Sequence, residues 1–105
     1  MDKYIRDGKV ALLIHKNYGS GWYSSNHNKE MLFDPTIVDM VLNLKSSPEE
    51  IRAYAILKYP DAYVSTLTTK SLTVDWVNIG QKFLIYEYDG SEEIWKEDDM
   101  KWIVA

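Results

Sequence analysis

Two clusters of residues carry the chemistry that this sequence offers. The first is Tyr18-Gly19-Ser20-Gly21-Trp22-Tyr23, followed by Ser24, Ser25 and His27. Glycines in a loop let successive backbone N–H groups converge on an anion, and a neighbouring aromatic ring offers a face on which a ligand can stack. The second is Glu87-Tyr88-Asp89-Gly90-Ser91-Glu92. Asp-Gly suits the two central positions of a type I′ hairpin turn, both of which want positive φ. Such a turn sets Tyr88 opposite Ser91 and Glu87 opposite Glu92. Like charges directly opposite destabilise a hairpin. The pair therefore splays into solvent, shares a basic group, or meets a cation or a ligand donor. Paired carboxylates are also the equipment of general acid–base catalysis. The candidate binding residues are thus Tyr18, Gly19, Ser20, Gly21, Trp22, Tyr23, Glu87, Tyr88 and Glu92.

Each cluster also has a purely structural reading. The glycines permit a tight bend while Trp22 plugs a core, and the two glutamates are a solvated acidic edge. Sharper chemical readings fail on spacing. Gly19-Ser20-Gly21 lacks the third glycine and the following helix of a dinucleotide loop. Ser20, Ser24 and Ser25 lack the nucleophile-elbow pattern, and no acid is spaced to orient His15 or His27. Two histidines 12 residues apart, without companions at ligand spacing, do not make a zinc site. With no cysteine in the chain, thiolate metal sites, disulfides and a cysteine nucleophile are excluded. No catalytic residue, metal or cofactor is assigned.

The elements that position these clusters follow from periodicity. Residues 10–14 are a continuous apolar run, and the strand of residues 9–15 that holds them is expected as a central one covered on both faces. Asp7-Gly8 predicts a hairpin joining it to a short strand at residues 3–6. Residues 31–33 add a short strand or anchor the far end of the loop. Asp34-Pro35 starts a helix ending near Leu44, with Val41 and Leu42 facing the sheet. Ser47-Pro48-Glu49-Glu50 starts a second, closed by a capping box and ended by Pro60. Residues 62–67, rich in β-formers, residues 72–77 and residues 82–88 read as strands. Residues 91–96 return after Asp89-Gly90, and residues 100–104 read as a last edge strand. The fold class expected is α+β: a mostly antiparallel sheet of about five to six strands, with two consecutive helices packed on one face.

A chain of 105 residues is one domain, spanning 1–105. No stretch reaches the roughly 18 apolar residues of a membrane span. Residues 1–8 lack the apolar region of a secretory signal. Charge is uneven. Residues 1–82 hold ten basic and nine acidic side chains, whereas residues 83–105 hold two and seven. A net −5 in the last quarter argues against a nucleic-acid face there, because phosphate contacts need Lys and Arg. Such a surface suits a basic protein partner or imitates a polyanion; the plain reading is a solubilising edge.

Taken together, Tyr18-Gly19-Ser20-Gly21-Trp22, Leu32-Phe33-Asp34-Pro35, Tyr59-Pro60-Asp61-Ala62-Tyr63, Leu72 to Trp76 and Glu87-Tyr88-Asp89-Gly90-Ser91-Glu92 resemble a group of short uncharacterised proteins of bacteriophages and bacteria. The order and spacing of the segments carry the resemblance, which covers most of residues 9–95. It implies a cytoplasmic, viral accessory protein and transfers no catalytic residue.

The function expected is therefore a non-enzymatic binding protein. It recognises a host protein or a small nucleotide-like ligand through the loop and the acidic hairpin, in an accessory or counter-defence role. A small hydrolase or transferase acting on a nucleotide, with Glu87 or Glu92 as acid or base, is one alternative. A structural or assembly protein is the other. A homo-oligomer fits any of the three; nucleic acid and membrane are not expected partners.

Overall fold

The computed structural model describes all 105 residues. Strands β1 (Ile5–Arg6), β2 (Lys9–His15) and β3 (Leu72–Asn78) form one antiparallel sheet in the order β1-β2-β3. Strands β4 (Phe83–Tyr88) and β5 (Ser91–Lys96) form a second. Between β2 and β3 the chain makes five short helices: α1 (Tyr23–Asn26), α2 (Lys29–Phe33), α3 (Pro35–Leu42), α4 (Pro48–Lys58) and α5 (Thr66–Lys70). A 3₁₀ turn, Glu97–Asp99, follows β5.

The Val10–Ile14 run of strand β2 is apolar and buried, and both of its faces are covered. Ala11 and Leu13 join a core that includes Trp22, Met31, Ile37, Val38, Ile51 and Ala55. Val10, Leu12 and Ile14 face the other way, into a second core with Leu32 and Val77. Phe33, Phe83, Ile85 and Ile94 pack on this second core. Side chains of α3 and α4 thus fill the core on one face of the three-stranded sheet, and the β4–β5 hairpin lies over the other together with Leu32 and Phe33 of α2.

The α+β class holds, and the strands are antiparallel. They are divided between two sheets, however, where one of five to six strands was expected. The cause is visible in β4. Phe83 and Ile85 point to the core, while Leu84, Tyr86 and Tyr88 are exposed. A strand apolar on one face only is suited to lying over β2 face-on, and a fully covered central place would bury its outer tyrosines. Helix α3 lies on the sheet, but α4 packs chiefly on α5 and α3.

Local chemistry explains the other departures. Residues 66–70 are helical because Ser65 Oγ accepts the Thr68 N–H at 3.2 Å and caps α5. Tertiary closure overrides the β-propensity of residues 62–67. Asn28 caps α2 by accepting the N–H groups of Glu30 and Met31, which makes residues 31–33 helical. Helix α3 stops at Leu42, capped by Asn43, and Leu44 takes a positive φ of 51°. Its buried residues are Ile37 and Val38; Val41 and Leu42, in the last turn, are only half-buried. Residues 100–104 pair with nothing and form no strand.

The capping residues are where the sequence places them. Asp34 accepts the Thr36 and Ile37 N–H groups at 2.9 and 3.0 Å. Ser47 and Glu50 complete the capping box of α4. Asp7-Gly8 and Asp89-Gly90 both turn with two consecutive positive φ values, as type I′ hairpins require.

Candidate functional site

Glu92 joins the two sequence clusters. It lies directly opposite Glu87 in the β4–β5 register, yet the two carboxylates do not share one environment. Glu92 is 1% exposed. Its Oε1 accepts the His15 N–H at 2.9 Å and its Oε2 the Ser24 N–H at 2.8 Å. Glu87 stays exposed and accepts the Gly90 N–H at 3.3 Å. The two backbone donors on the Glu92 oxygens offset both the cost of burying it and its repulsion from Glu87. These two donors flank the glycines rather than belong to them: one ends β2 and the other lies in α1.

Three further contacts hold the loop against the hairpin. The Gly19 N–H donates to the Asp89 carbonyl at 2.8 Å. The His15 ring donates from Nδ1 to the Gly90 carbonyl at 2.7 Å. Gly21 packs on Ser24 Oγ and on the Glu92 carboxylate so closely that a Cβ there would collide with both. Gly90 likewise faces the Gly19 carbonyl with no room for a Cβ. These two glycines are needed for close approach, and Gly90 also for its φ of +86°.

Trp22, read from the sequence as a stacking residue, is fully buried in the first core, and its indole Nε1 donates to the Met31 carbonyl at 2.8 Å. The structural reading of Trp22 holds. Ser20 gives its carbonyl to the Thr68 hydroxyl at 3.0 Å. Tyr23 opens α1 and turns away from the hairpin tyrosines, with its ring against His27. Tyr18 is 69% exposed and Tyr88 67%.

What the loop and hairpin leave at the surface is a patch of tyrosines. Lys16, Tyr18, Tyr86, Tyr88 and Glu93 surround a shallow cleft of about 270 Å³, with Glu92 in its floor. Of the glycine-loop cluster only Tyr18 reaches this cleft, beside Tyr88 and Glu92 of the hairpin. Tyr86 stacks flat on Trp95 across the hairpin, with ring centroids 4.4 Å apart and planes 8° apart. Lys16 is paired with Asp75 at 3.4 Å. The stack is half-legible in the sequence, since Tyr86 stands among the recognisable tyrosines but its partner Trp95 depends on the register.

A second polar cluster escapes the sequence reading altogether. Besides capping α3, Asp34 accepts from Lys58 Nζ at 3.0 Å, from the Tyr59 hydroxyl at 2.6 Å and from the Tyr54 hydroxyl at 3.4 Å. The hydrogen bond to Asp34 raises the Lys58 ammonium above the ordinary lysine range. Burial, then the bond to Asp34, raises the Tyr59 phenol as well. A Lys58-Tyr59 pair at the end of α4 is thus tied to the start of α3. No group of three or more His, Asp or Glu side chains converges as a metal site would require, and no helix is long and apolar enough to cross a membrane.

No protein-family model, no curated protein and no solved structure matches the chain.

Proposed function

We propose that this chain is a non-enzymatic binding protein that recognises a basic surface of a host protein, as a phage-type accessory factor, through the tyrosine-faced side of the β4–β5 hairpin. The reading rests on one observation. Tyr18, Tyr86 and Tyr88 are exposed around one cleft with Glu93, and the exposed Trp95 stacks on Tyr86. Tyrosine and tryptophan are enriched at recognition surfaces because they bring large rigid area and a polar end at small entropic cost. The acidic quarter of the chain that carries Tyr86, Tyr88 and Trp95, net −5 over residues 83–105, supplies charge complementarity to a basic partner and raises its rate of encounter. Each Glu92 oxygen accepts a backbone N–H, which favours a joining role over acid–base work.

The test uses the whole chain as bait in extracts of a bacterial host, followed by binding measurements with the purified captured protein. Tyr86→Ala and Tyr88→Ala change exposed side chains and are expected to keep the wild-type urea midpoint. Each is expected to weaken binding by at least tenfold, since truncating an interface hot spot costs about 2 kcal/mol or more. Raising the salt is expected to slow association. Unchanged affinity in both variants, or a captured protein that binds equally well at all salt concentrations, overturns the reading.

A further inference from the structure

On the hairpin's inner side the second core is not fully closed. Leu32 and Phe33 of α2, Phe83 and Ile85 of β4, and Tyr23 of α1 wall an open cavity of about 770 Å³. That volume lies within the roughly 300–1,000 Å³ of ligand sites. None of its lining residues belongs to the tyrosine-faced cleft.

Its charge is opposite to that of the protein. The chain carries −4 overall, yet the ionisable side chains with acid or amine groups at the cavity wall are Lys3, Lys29 and Lys82, with no Asp or Glu among them. None of the three lysines has a carboxylate partner; the ion pairs of the molecule involve Lys16, Lys45 and Lys58. Lys3 instead lies over the Phe33 ring, 4.8 Å from its centroid. Apart from the lysines, only the Gln81 amide and the Tyr23 hydroxyl offer polar side-chain atoms in the lining. A nucleobase carries several donors and acceptors along its edge, and the mostly apolar wall offers these only the lysines, Gln81 and Tyr23. A plain hydrocarbon body needs no such partners, and burying it is favourable at about 25 cal/mol per Å².

We infer that the cavity between α2 and β4 is a binding site for a single-chain anionic amphiphile. The apolar chain lies on Phe33, Phe83, Leu32 and Ile85, and the carboxylate or phosphate head meets Lys3, Lys29 and Lys82. The lysines sit on three separate elements of the chain, so a bound head group also ties the N-terminal segment to α2 and to the start of β4. The inference does not depend on the protein-binding reading, which uses the opposite side of the hairpin.

Decanoate, decanol and decyltrimethylammonium test it, because they share a chain and differ in head group. Binding is followed by calorimetry, and its location by amide chemical shifts. Decanoate is expected to bind saturably, to move the amides of Leu32, Phe33, Phe83 and Ile85, and to bind at least tenfold more tightly than either of the others. Lys3→Gln, Lys29→Gln and Lys82→Gln exchange exposed side chains, and each is expected to weaken decanoate about two- to fivefold. The triple variant is expected to lose at least tenfold while keeping its decanol affinity and its urea midpoint. Lys45→Gln and Lys70→Gln, which do not line the cavity, are expected to change nothing. Equal binding of all three chains would make the cavity a merely apolar patch and overturn the inference. So would an unaffected triple variant, shifts confined to Tyr18 and Tyr88, tighter binding of adenosine monophosphate than of decanoate, or binding to anionic vesicles alone.

Discussion

Single side chains do unusual amounts of joining in this protein. Glu92 holds a hairpin against the end of a strand through two backbone donors. Glu92→Gln leaves one of those donors facing an NH₂ group, and is expected to cost about 2 kcal/mol, as bonds to charged groups do. Glu87→Gln, at the exposed partner position, is expected to stay within about 0.5 kcal/mol. Urea denaturation of the two variants checks the contrast, and equal losses would remove Glu92 from its joining role. Asp34 makes a different prediction, through pH. Lys58 and Tyr59 are both raised above their ordinary values of 10.5 and 10.0. A group held protonated in the folded state contributes stability that is full below its unfolded pKa and is lost as pH rises. The stability difference between the wild type and Lys58→Gln is therefore expected to be constant from neutral pH to 10 and to shrink above 10.5. Tyr59→Phe follows the same sign from 10.0 upward. A difference that grows with alkaline pH would contradict the assignment. Asp34 was legible in the sequence as a cap, because Asp-Pro fixes a helix start locally. Its bonds to Lys58 and Tyr59 were not, because they arise only when α4 folds back on α3.

At the scale of elements, the local signals succeeded wherever a few neighbouring residues decide the outcome. Asp7-Gly8, Asp89-Gly90 and the Ser47 box each specify backbone geometry within four residues, and each is found. Residues 62–67 failed because their β-branched composition reports a preference that a cap at Ser65 and contacts from elsewhere outweigh. The single-sheet expectation failed for a related reason. Pairing within a hairpin is local, but whether a hairpin joins a sheet edge or lies over its face is settled by distant residues such as Phe33 and Leu12. Trp22 illustrates the same limit, since an aromatic beside glycines looks alike in a loop and in a core. The two Asp-Gly turns now separate conformation from packing. Gly8 has a φ of +75° and open space around its Cβ position, so Gly8→Ala is expected to cost about 1 kcal/mol of left-handed strain. Gly90 has that strain and the Gly19 carbonyl against it. Gly90→Ala is expected to cost at least twice as much, and to expose Glu92. Thermal melts of both variants give the comparison; similar losses would show that the loop moves aside without penalty.

For the molecule as a whole, the consequence of having one strand between two cores is kinetic. β2 is shared by the helical layer and by the hairpin layer, and it forms backbone ladders with β1 and β3 only. The hairpin has its own ladder and rests on β2 through side chains and the contacts around Glu92. Its amides can therefore be released to solvent without breaking a single β2–β3 hydrogen bond. Native-state hydrogen exchange is expected to resolve two opening units, with β4 and β5 exchanging together at a lower free energy than β2 and β3. In Glu92→Gln only the first unit is expected to open more readily. Uniform exchange across both sheets would mean that they unfold as one. The smaller unit carries the outer tyrosines on one face and a wall of the lysine-rimmed cavity on the other. A molecule bound at that cavity would bridge the unit to α2, and so would suppress the opening of the same strands that carry the exposed tyrosines.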